Sequence, residues 1–434
     1  GDVYKRQSLK TWWKRDCFRS IEFDCNGDCM SAGKAKPWLK VVGIGENGLE
    51  GLSPAARQRV ESAEILFGGK RHLEMIPGTQ AKKIPWAKRM REAVPKILEW
   101  KGSNIVVLAS GDPMCYGIGT KLLRHLDVGE VEIFPALNSF SLACSRMGWS
   151  LPDVETMTIH GRPLSMLHPY LYPGAKIICL SEDASSPAGA ARLLTERGFG
   201  SSIITVLENM GGAKENMFSG EANNWNHPEG SPLNTLAIEC YADQNSDLLS
   251  RSSGLPDSAF EHDGKMTKQE VRSQVLSKLM PFPDHLLWDL GAGCGSVAIE
   301  WMRSHPNCDA IAVERSEERI RMIRNNADAL GTPMLRTIHG EVPTILGELP
   351  KPDAIFLGGG ISPESLEQCW EALNPFGRLV SNAVTLESEK VLLDWQASRG
   401  GDLTRIAISR AEKVGPYQGW KPMMPVTQYS AVKR

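Results

Sequence analysis

The feature that most restricts how this chain can fold is a strand-to-loop junction beyond its midpoint. Leu286–Leu290 is an apolar run that passes straight into Gly291-Ala292-Gly293-Cys294-Gly295, and Glu314 closes the next apolar run. Three glycines in five residues let a backbone turn sharply and lie close to a ligand. In a doubly wound parallel sheet, ligands bind at the carboxyl ends of the strands, where an acidic residue closing the second strand can accept ribose hydroxyls. Two ligand classes meet that logic, a dinucleotide and S-adenosylmethionine. The dinucleotide spacing Gly-x-Gly-x-x-Gly would place its third small residue at Ser296, but the third glycine here comes one residue earlier. Asp289 ahead of the loop also favours the sulfonium cofactor.

The rest of the chain repeats the strand and helix alternation that builds such sheets. Leu39-Lys40-Val41-Val42-Gly43-Ile44-Gly45 reads as a buried strand entering a second glycine loop. Ser53-Pro54 supplies an N-cap and a first-turn proline for a helix to about Ser62. Strands are expected at Ile65–Phe67, Ile105–Ala109 and Val131–Phe134, with Lys121–Leu126 helical. A second block starts near Thr156, with strands at Lys176–Leu180, Ile203–Leu207 and Leu236–Glu239 and a helix from Pro187 to Arg197 stopped by Gly198. Gln244 to Asp263 is polar and without periodicity, a linker by composition. Thr267 with Glu270 three residues on reads as a capping box for a helix to about Met280. Strands at Leu286–Leu290, Ala310–Val313 and Ala354–Leu357 then alternate with helices at 296–304 and Glu317–Leu330. The expected division is an N-terminal disordered extension at 1–36, a domain at 37–242, a linker at 243–262 and a second domain at 263–434. A chain of 434 residues is too long for one ordinary core.

The N-terminal loop Gly43-x-Gly45-x-x-Gly48 matches the dinucleotide expression, but the context does not. The next helix begins only near Pro54, too far along for its N-terminus to hold a pyrophosphate. No acidic residue closes the next strand, because Phe67 runs into Gly68. Ser110-Gly111-Asp112-Pro113 taken alone is a β-turn.

Composition excludes several function classes. The net charge of −2 lacks the excess of cations that usually marks a nucleic-acid binder. No apolar run approaches the ~20 residues of a membrane span, and the N-terminus lacks the apolar core of a secretory signal. The 10 cysteines are scattered, with no Cys-x-x-Cys pair. Cys25 and Cys29 have no second pair or histidine cluster to complete a zinc site, so no metal is expected. This usage suits a reducing cytoplasm.

Resemblance extends these readings. Asp-x-Gly-x-Gly-x-Gly at 289–295 resembles motif I of the class I Rossmann methyltransferases. Val-Val-Gly-Ile-Gly at 41–45, Ser-Gly-Asp-Pro at 110–113, Pro-Ala-Leu-Asn-Ser-Phe at 135–140, His160-Gly161-Arg162 and Val206-Leu207-Glu208-Asn209 together resemble the tetrapyrrole methylase family. With Phe67-Gly68-Gly69-Lys70-Arg71-His72 they look like its precorrin C5-methyltransferase branch. The third block carries Met266-Thr267-Lys268-Gln269-Glu270-Val271-Arg272, the glycine loop and Phe356-Leu357-Gly358-Gly359-Gly360. It looks like the matching C15-methyltransferase and decarboxylase family. The resemblance covers about 37–434, and the order of the halves is that of fused methyltransferases of cobalamin synthesis.

That resemblance implies an α/β protein: a tetrapyrrole methylase fold of two α/β subdomains, then a class I Rossmann-like methyltransferase domain. It implies one S-adenosylmethionine per domain, a tetrapyrrole (precorrin) substrate and a homo-oligomer, with no nucleic acid and no membrane as partners. By family motif, Glu46, Asp112, Cys115, Ser139, Phe140, Leu180 and Ala213 would contact the N-terminal cofactor. Thr267, Gly291, Ala292, Gly293, Cys294, Gly295, Glu314, Gly340 and Glu341 would contact the C-terminal one. Thr267 also reads as a plain helix cap and Glu341 as a solvated loop charge. A precursor rich in carboxylates calls for cations, arginine above all. Lys70, Arg71, Arg146 and Arg162 are candidates, with His72 and His160 as proton donors. His160, Arg162 and Arg71 are taken as the catalytic set. Three other readings stay open: a nicotinamide oxidoreductase, an RNA or other small-molecule methyltransferase, and a scaffold with dead sites.

Overall fold

In the computed structural model, residues 37–86 and 93–434 are described. The expected extension at 1–36, with Cys17, Cys25 and Cys29, lies outside them, as do residues 87–92. The chain divides into two compact units. One holds the described residues up to Asp153 with Val206–Phe218 and Leu233–Thr235; the other holds Val154–Thr205, Ser219–Pro232 and Leu236–Arg434.

The first unit is built on strands β1 (Leu39–Ile44), β2 (Ile65–Gly68), β3 (Lys82–Pro85), β4 (Ile105–Ser110) and β5 (Val131–Phe134). Their order is β3-β2-β4-β1-β5, and every pairing is parallel. Central strands of a parallel sheet are covered on both faces and read as near-continuous apolar runs. Val41, Val42, Val106, Val107 and Leu108 are fully buried for that reason. Ser53 caps the helix Pro54–Glu61 by accepting from the Ala56 N–H at 3.3 Å. The helix expected at Lys121–Leu126 lies earlier, at Ile118–Leu122, where Gly117 provides the extended entry residue.

A second sheet contains β6 (Glu155–Thr158), β7 (Lys176–Leu180), β8 (Ile203–Glu208), β9 (Asn216–Glu221) and β10 (Asn234–Glu239), in the order β6-β7-β10-β8-β9. The third sheet joins β11 (Leu286–Leu290), β12 (Asp309–Glu314), β13 (Arg336–His339), β14 (Ala354–Leu357), β15 (Arg378–Ala383), β16 (Asp402–Ile406) and β19 (Val426–Val432); β17 (Ser409–Val414) and β18 (Tyr417–Pro422) form a separate hairpin. Its order is β13-β12-β11-β14-β15-β19-β16, parallel from β13 to β15, with β19 antiparallel to both neighbours. From β11 the chain builds outward through β12 and β13, then returns to β14 on the other side. The carboxyl ends of β11 and β14 therefore flank the switch point where such sheets hold ligands.

Two expectations are corrected here. Thr267 is not the N-cap: the helix runs Gln269–Leu279 and its N-cap is Lys268, which makes no side-chain capping bond. The Gln269 N–H is taken instead by Asp257 Oδ1 at 2.9 Å, an acceptor brought in from outside the local sequence. The polar stretch before it is packed rather than free in its second half. Leu255 and Phe260 are buried in the core beneath β11, and the Gly254 and Leu255 N–H groups donate to Glu300 at 2.6 and 3.0 Å. Glu300 also pairs at 2.6 Å with Arg272, which is itself fully buried and lies over the Phe260 ring. Arg272 donates further to the carbonyls of Thr267 and Leu255. A buried ion pair holds only when such extra bonds satisfy its remaining donors. No helix of the described residues is long and apolar enough to cross a membrane.

Candidate functional sites

In the second unit, the turn after β11 is shaped by backbone proximity. Gly291 has φ +70°, and a Cβ on it would lie 2.8 Å from Gly359 Cα in the loop after β14. The two loops are drawn together because the Gly358 and Gly359 N–H groups both donate to Leu290 O, while Gly291 and Ala292 donate to Val313 O. Glu314, almost fully buried, accepts the Gly293 N–H on Oε2 at 2.9 Å and the Arg315 and Ser316 N–H groups on Oε1. This fixes its carboxylate against the glycine loop. Asp289 ties the end of β11 to the following helix by accepting from the Ala298 N–H at 3.0 Å, and its Oδ1 is buried without a partner. Burial, with Glu314 nearby, pushes its carboxyl up to about 7. Cys294 is a buried thiol whose pKa burial raises.

Gly340 donates to Glu314 O at 3.1 Å, whereas Glu341 is an exposed side chain 3.8 Å from Arg315. Thr267 contributes its carbonyl to the buried Arg272. Glycines 291, 293 and 295, Glu314 and Gly340 are thus brought together at one sheet edge, and Glu341 stands at its rim. A cradle that side chains would fill, beside a carboxylate, is the donor and acceptor set that a ribose-bearing cofactor requires.

In the first unit, the loops after β1 and β4 touch through backbone. A Cβ on Gly43 would overlap the Gly111 carbonyl oxygen and lie 2.8 Å from Ala136 N. The Gly111 N–H donates to Ile44 O at 3.0 Å, and Asp112 accepts from the Met114 N–H at 2.8 Å. Cys115 follows, its thiol pKa raised by burial and by Asp112. Ser139 and Phe140 open the helix Ser139–Met147, whose cap is Asn138 accepting from Ser141. Phe140 is buried, its ring 6.0 Å from that of Tyr116. Glu46 pairs with Arg71 and packs against the turn preceding Ala213, since a Cβ on Gly212 would lie 2.7 Å from Glu46 Cβ.

Arg71 also lies 3.0 Å from His72 Nε2 and 3.4 Å from Ser110 Oγ. A guanidinium can only donate, so His72 Nε2 accepts and the neutral ring carries its proton on Nδ1. Burial, reinforced by Arg71, lowers the His72 pKa to about 4. Arg146 is engaged by Glu215 at 3.0 Å and Lys70 lies 4.0 Å from Glu74. Leu180 ends β7 in the second unit. His160 is an exposed ring 3.3 Å from Glu182, in the turn that also carries Arg162. Arg71 therefore belongs to one compact unit, His160 and Arg162 to the other.

Two family models match the chain, "Tetrapyrrole (Corrin/Porphyrin) Methylases" over residues 39–224 and "Precorrin methyltransferase domain" over 258–433. The chain is 45% identical over 399 residues to the precorrin-6Y C(5,15)-methyltransferase [decarboxylating] of a Sinorhizobium species, covering 92% of this chain and 97% of that protein. It belongs to the precorrin-6Y C(5,15)-methyltransferase family. The Mycobacterium tuberculosis H37Rv family member is 39% identical over 399 residues, covering 91% of this chain and 99% of that one. A crystal structure of the C-terminal domain of the Rhodobacter capsulatus member, 42% identical, covers 43% of this chain and 100% of its own, with a TM-score of 0.41.

Sequence reasoning named the glycine loop of this family member but not what holds it. Asn326, buried, donates to Cys294 O at 3.0 Å, and Arg319 lies 4.0 Å from Glu314. Both are on the helix Glu317–Ala329. Asn326 occupies the apolar stripe with Ile320 and Ile323, a polar residue where the helical period calls for a core side chain. That was the available signal. Among the described residues, no group of three or more His, Cys, Asp or Glu is placed to hold a metal.

Proposed function

We propose that this family member performs two S-adenosylmethionine-dependent methylations on precorrin-6Y, one per domain. The N-terminal domain (37–242) acts at carbon 5. The C-terminal domain (263–434) acts at carbon 15 and decarboxylates the ring C acetate, whose carboxyl leaves as carbon dioxide while its methylene carbon takes up a proton and stays on the ring as a methyl group, giving precorrin-8X. What supports one cofactor per domain is that each of two parallel sheets ends in its own glycine-lined edge. The cofactor, when bound, supplies a methyl group on a sulfonium, so the chain's task is orientation.

In the C-terminal domain, Glu314 offers a fixed acceptor for ribose hydroxyls, and Gly291 to Gly295 let the backbone approach. Thr267, Gly340 and Glu341 border the same edge. In the N-terminal domain, Glu46, Asp112, Cys115, Ser139, Phe140 and Ala213 are the proposed cofactor contacts. Arg71, held by Glu46 and His72, is proposed to orient a substrate carboxylate, and His160 and Arg162 are each proposed as catalytic residues. The reading also takes the protein as a cytoplasmic homo-oligomer, which sedimentation of the purified chain checks.

The test is calorimetric titration of S-adenosylhomocysteine into wild type and Gly293→Arg. Two sites falling to one supports a cofactor in each domain. No binding in wild type removes the cofactor assignment from both.

A further inference from the structure

The segment Glu261–Lys265 runs directly beside the C-terminal glycine loop. Lys265 O lies 3.4 Å from where a Cβ on Gly293 would be. One helix holds this segment. Asn326 receives the Glu261 N–H on Oδ1 at 2.7 Å, and its Nδ2 donates both to Glu261 O at 2.9 Å and to Cys294 O at 3.0 Å. The same buried side chain thus clips the segment to the glycine loop. Asn325 adds a bond to Glu261 Oε2 at 3.0 Å. Two residues on, Asp263 Oδ2 takes both Nε and Nη2 of Arg319, at 3.0 and 2.7 Å, while Asp263 Oδ1 accepts the Lys265 N–H at 3.0 Å. The third nitrogen of Arg319 lies 4.0 Å from Glu314 Oε1. Arg319 therefore stands between the carboxylate of the segment and the carboxylate closing β12.

Charge-assisted bonds to a guanidinium are the strong and directional ones, and here they are spent on an otherwise polar surface segment. We infer that Glu261–Lys265 is a strap over the C-terminal cofactor site and that Arg319 is its positioning residue. Asn326 is the fixed end of the strap. Arg319 is the latch, holding the Lys265 carbonyl over Gly293 and tying strap position to the Glu314 carboxylate. The strap retains the cofactor once it is seated. This inference rests on the cofactor reading given above for the C-terminal domain.

The experiment uses the full-length chain and S-adenosylhomocysteine as probe, with the C-terminal site identified as the one lost in Gly293→Arg. Arg319→Ala and Asp263→Asn should each weaken that site on the order of tenfold, the scale of one lost charge-assisted contact. The loss should lie in faster dissociation, with N-terminal binding unchanged. Arg319→Lys, keeping the charge but not the fork, should recover part of it. In wild type the probe should protect the chain from tryptic cleavage after Lys265, and in Arg319→Ala it should not. Unchanged affinity and dissociation rate in both variants overturn the strap while leaving the cofactor reading intact. Weakened binding that tracks a lowered melting temperature, with Arg319→Lys no better than Arg319→Ala, also overturns it. Absence of any C-terminal binding in wild type overturns the cofactor reading itself.

Discussion

The two glycine-lined sheet edges are built on different physics. In the first unit the edge is a backbone contact, Gly43 against Gly111, surrounded by partly exposed ion pairs such as Glu46–Arg71 and Arg146–Glu215. In the second unit the charged side chains that support it are withdrawn from solvent: Asp289, Glu300, Glu314 and Arg272 are all buried, and each makes hydrogen bonds to the loop or to the segments that support it. The first arrangement is held by backbone contact and hydrogen bonding, and its charges sit in partly exposed ion pairs. The second commits its charges to structure, and that rigidity suits a fixed acceptor.

Four changes break or sharpen the contrast. The largest effect is expected for Arg272→Met, which leaves Glu300 buried without its cation and should cost about 3–5 kcal/mol. Urea unfolding checks this, and the Arg272→Met/Glu300→Leu double variant should recover only part of the loss, because the Gly254 and Leu255 N–H groups then lose their acceptor. Next is Gly43→Ala, where the new methyl overlaps the Gly111 carbonyl. Overpacking of this kind costs about 1–3 kcal/mol. Calorimetry should find the N-terminal S-adenosylhomocysteine site weakened and the C-terminal one unchanged.

The third concerns pH. Folded Asp289 keeps its proton up to about pH 7, whereas an unfolded aspartate releases it near about 3.9. Between those values the native state holds the extra proton, so this group's contribution falls as pH rises. His72 has the opposite sign. Its folded pKa of about 4 lies below the unfolded value of about 6.5, so the unfolded chain takes up the proton first and stability is lost as pH falls through that window. His168, half-buried in the second unit and also lowered to about 4 by desolvation and nearby arginines, adds to the same acid loss. Denaturant midpoints from pH 4.5 to 7.5 should therefore change slope in opposite directions in Asp289→Asn and His72→Gln. Matching slopes in the two variants would contradict the assignment. Smallest is Arg146→Ala, which removes an exposed pair with Glu215 and should stay within about 1 kcal/mol of wild type by thermal melting.

Much of the fold was legible because its signals are local. Apolar runs such as Leu39–Ile44 and Leu286–Leu290 each end in glycine, and a strand buried on both faces admits little else. Ser53 and Pro54 likewise mark a helix start wherever they are read, since a cap is satisfied within one turn. The misassigned cap shows the boundary of such reasoning. Thr267 and Glu270 carry the capping spacing, yet Asp257 takes the helix N–H and Glu270 is taken by Arg410 from β17. Glu314 could be named from its place at a strand end, but its bond to the Gly293 N–H could not.

The sequence by itself determined the strands β1, β2, β4, β5, β7, β8, β10, β11, β12 and β14, the two glycine turns and the acidic residue that closes β12. Each follows from steric rules acting over a few residues. Only the tertiary structure decided which charges are buried and paired. Arg272 and Glu300 look like surface residues on two amphipathic helices, and the polar stretch before them looks like a tether. Once β11 is covered, the same residues find one another in a place without water. There an unpaired charge is too costly to keep, and each remaining donor has to find an acceptor.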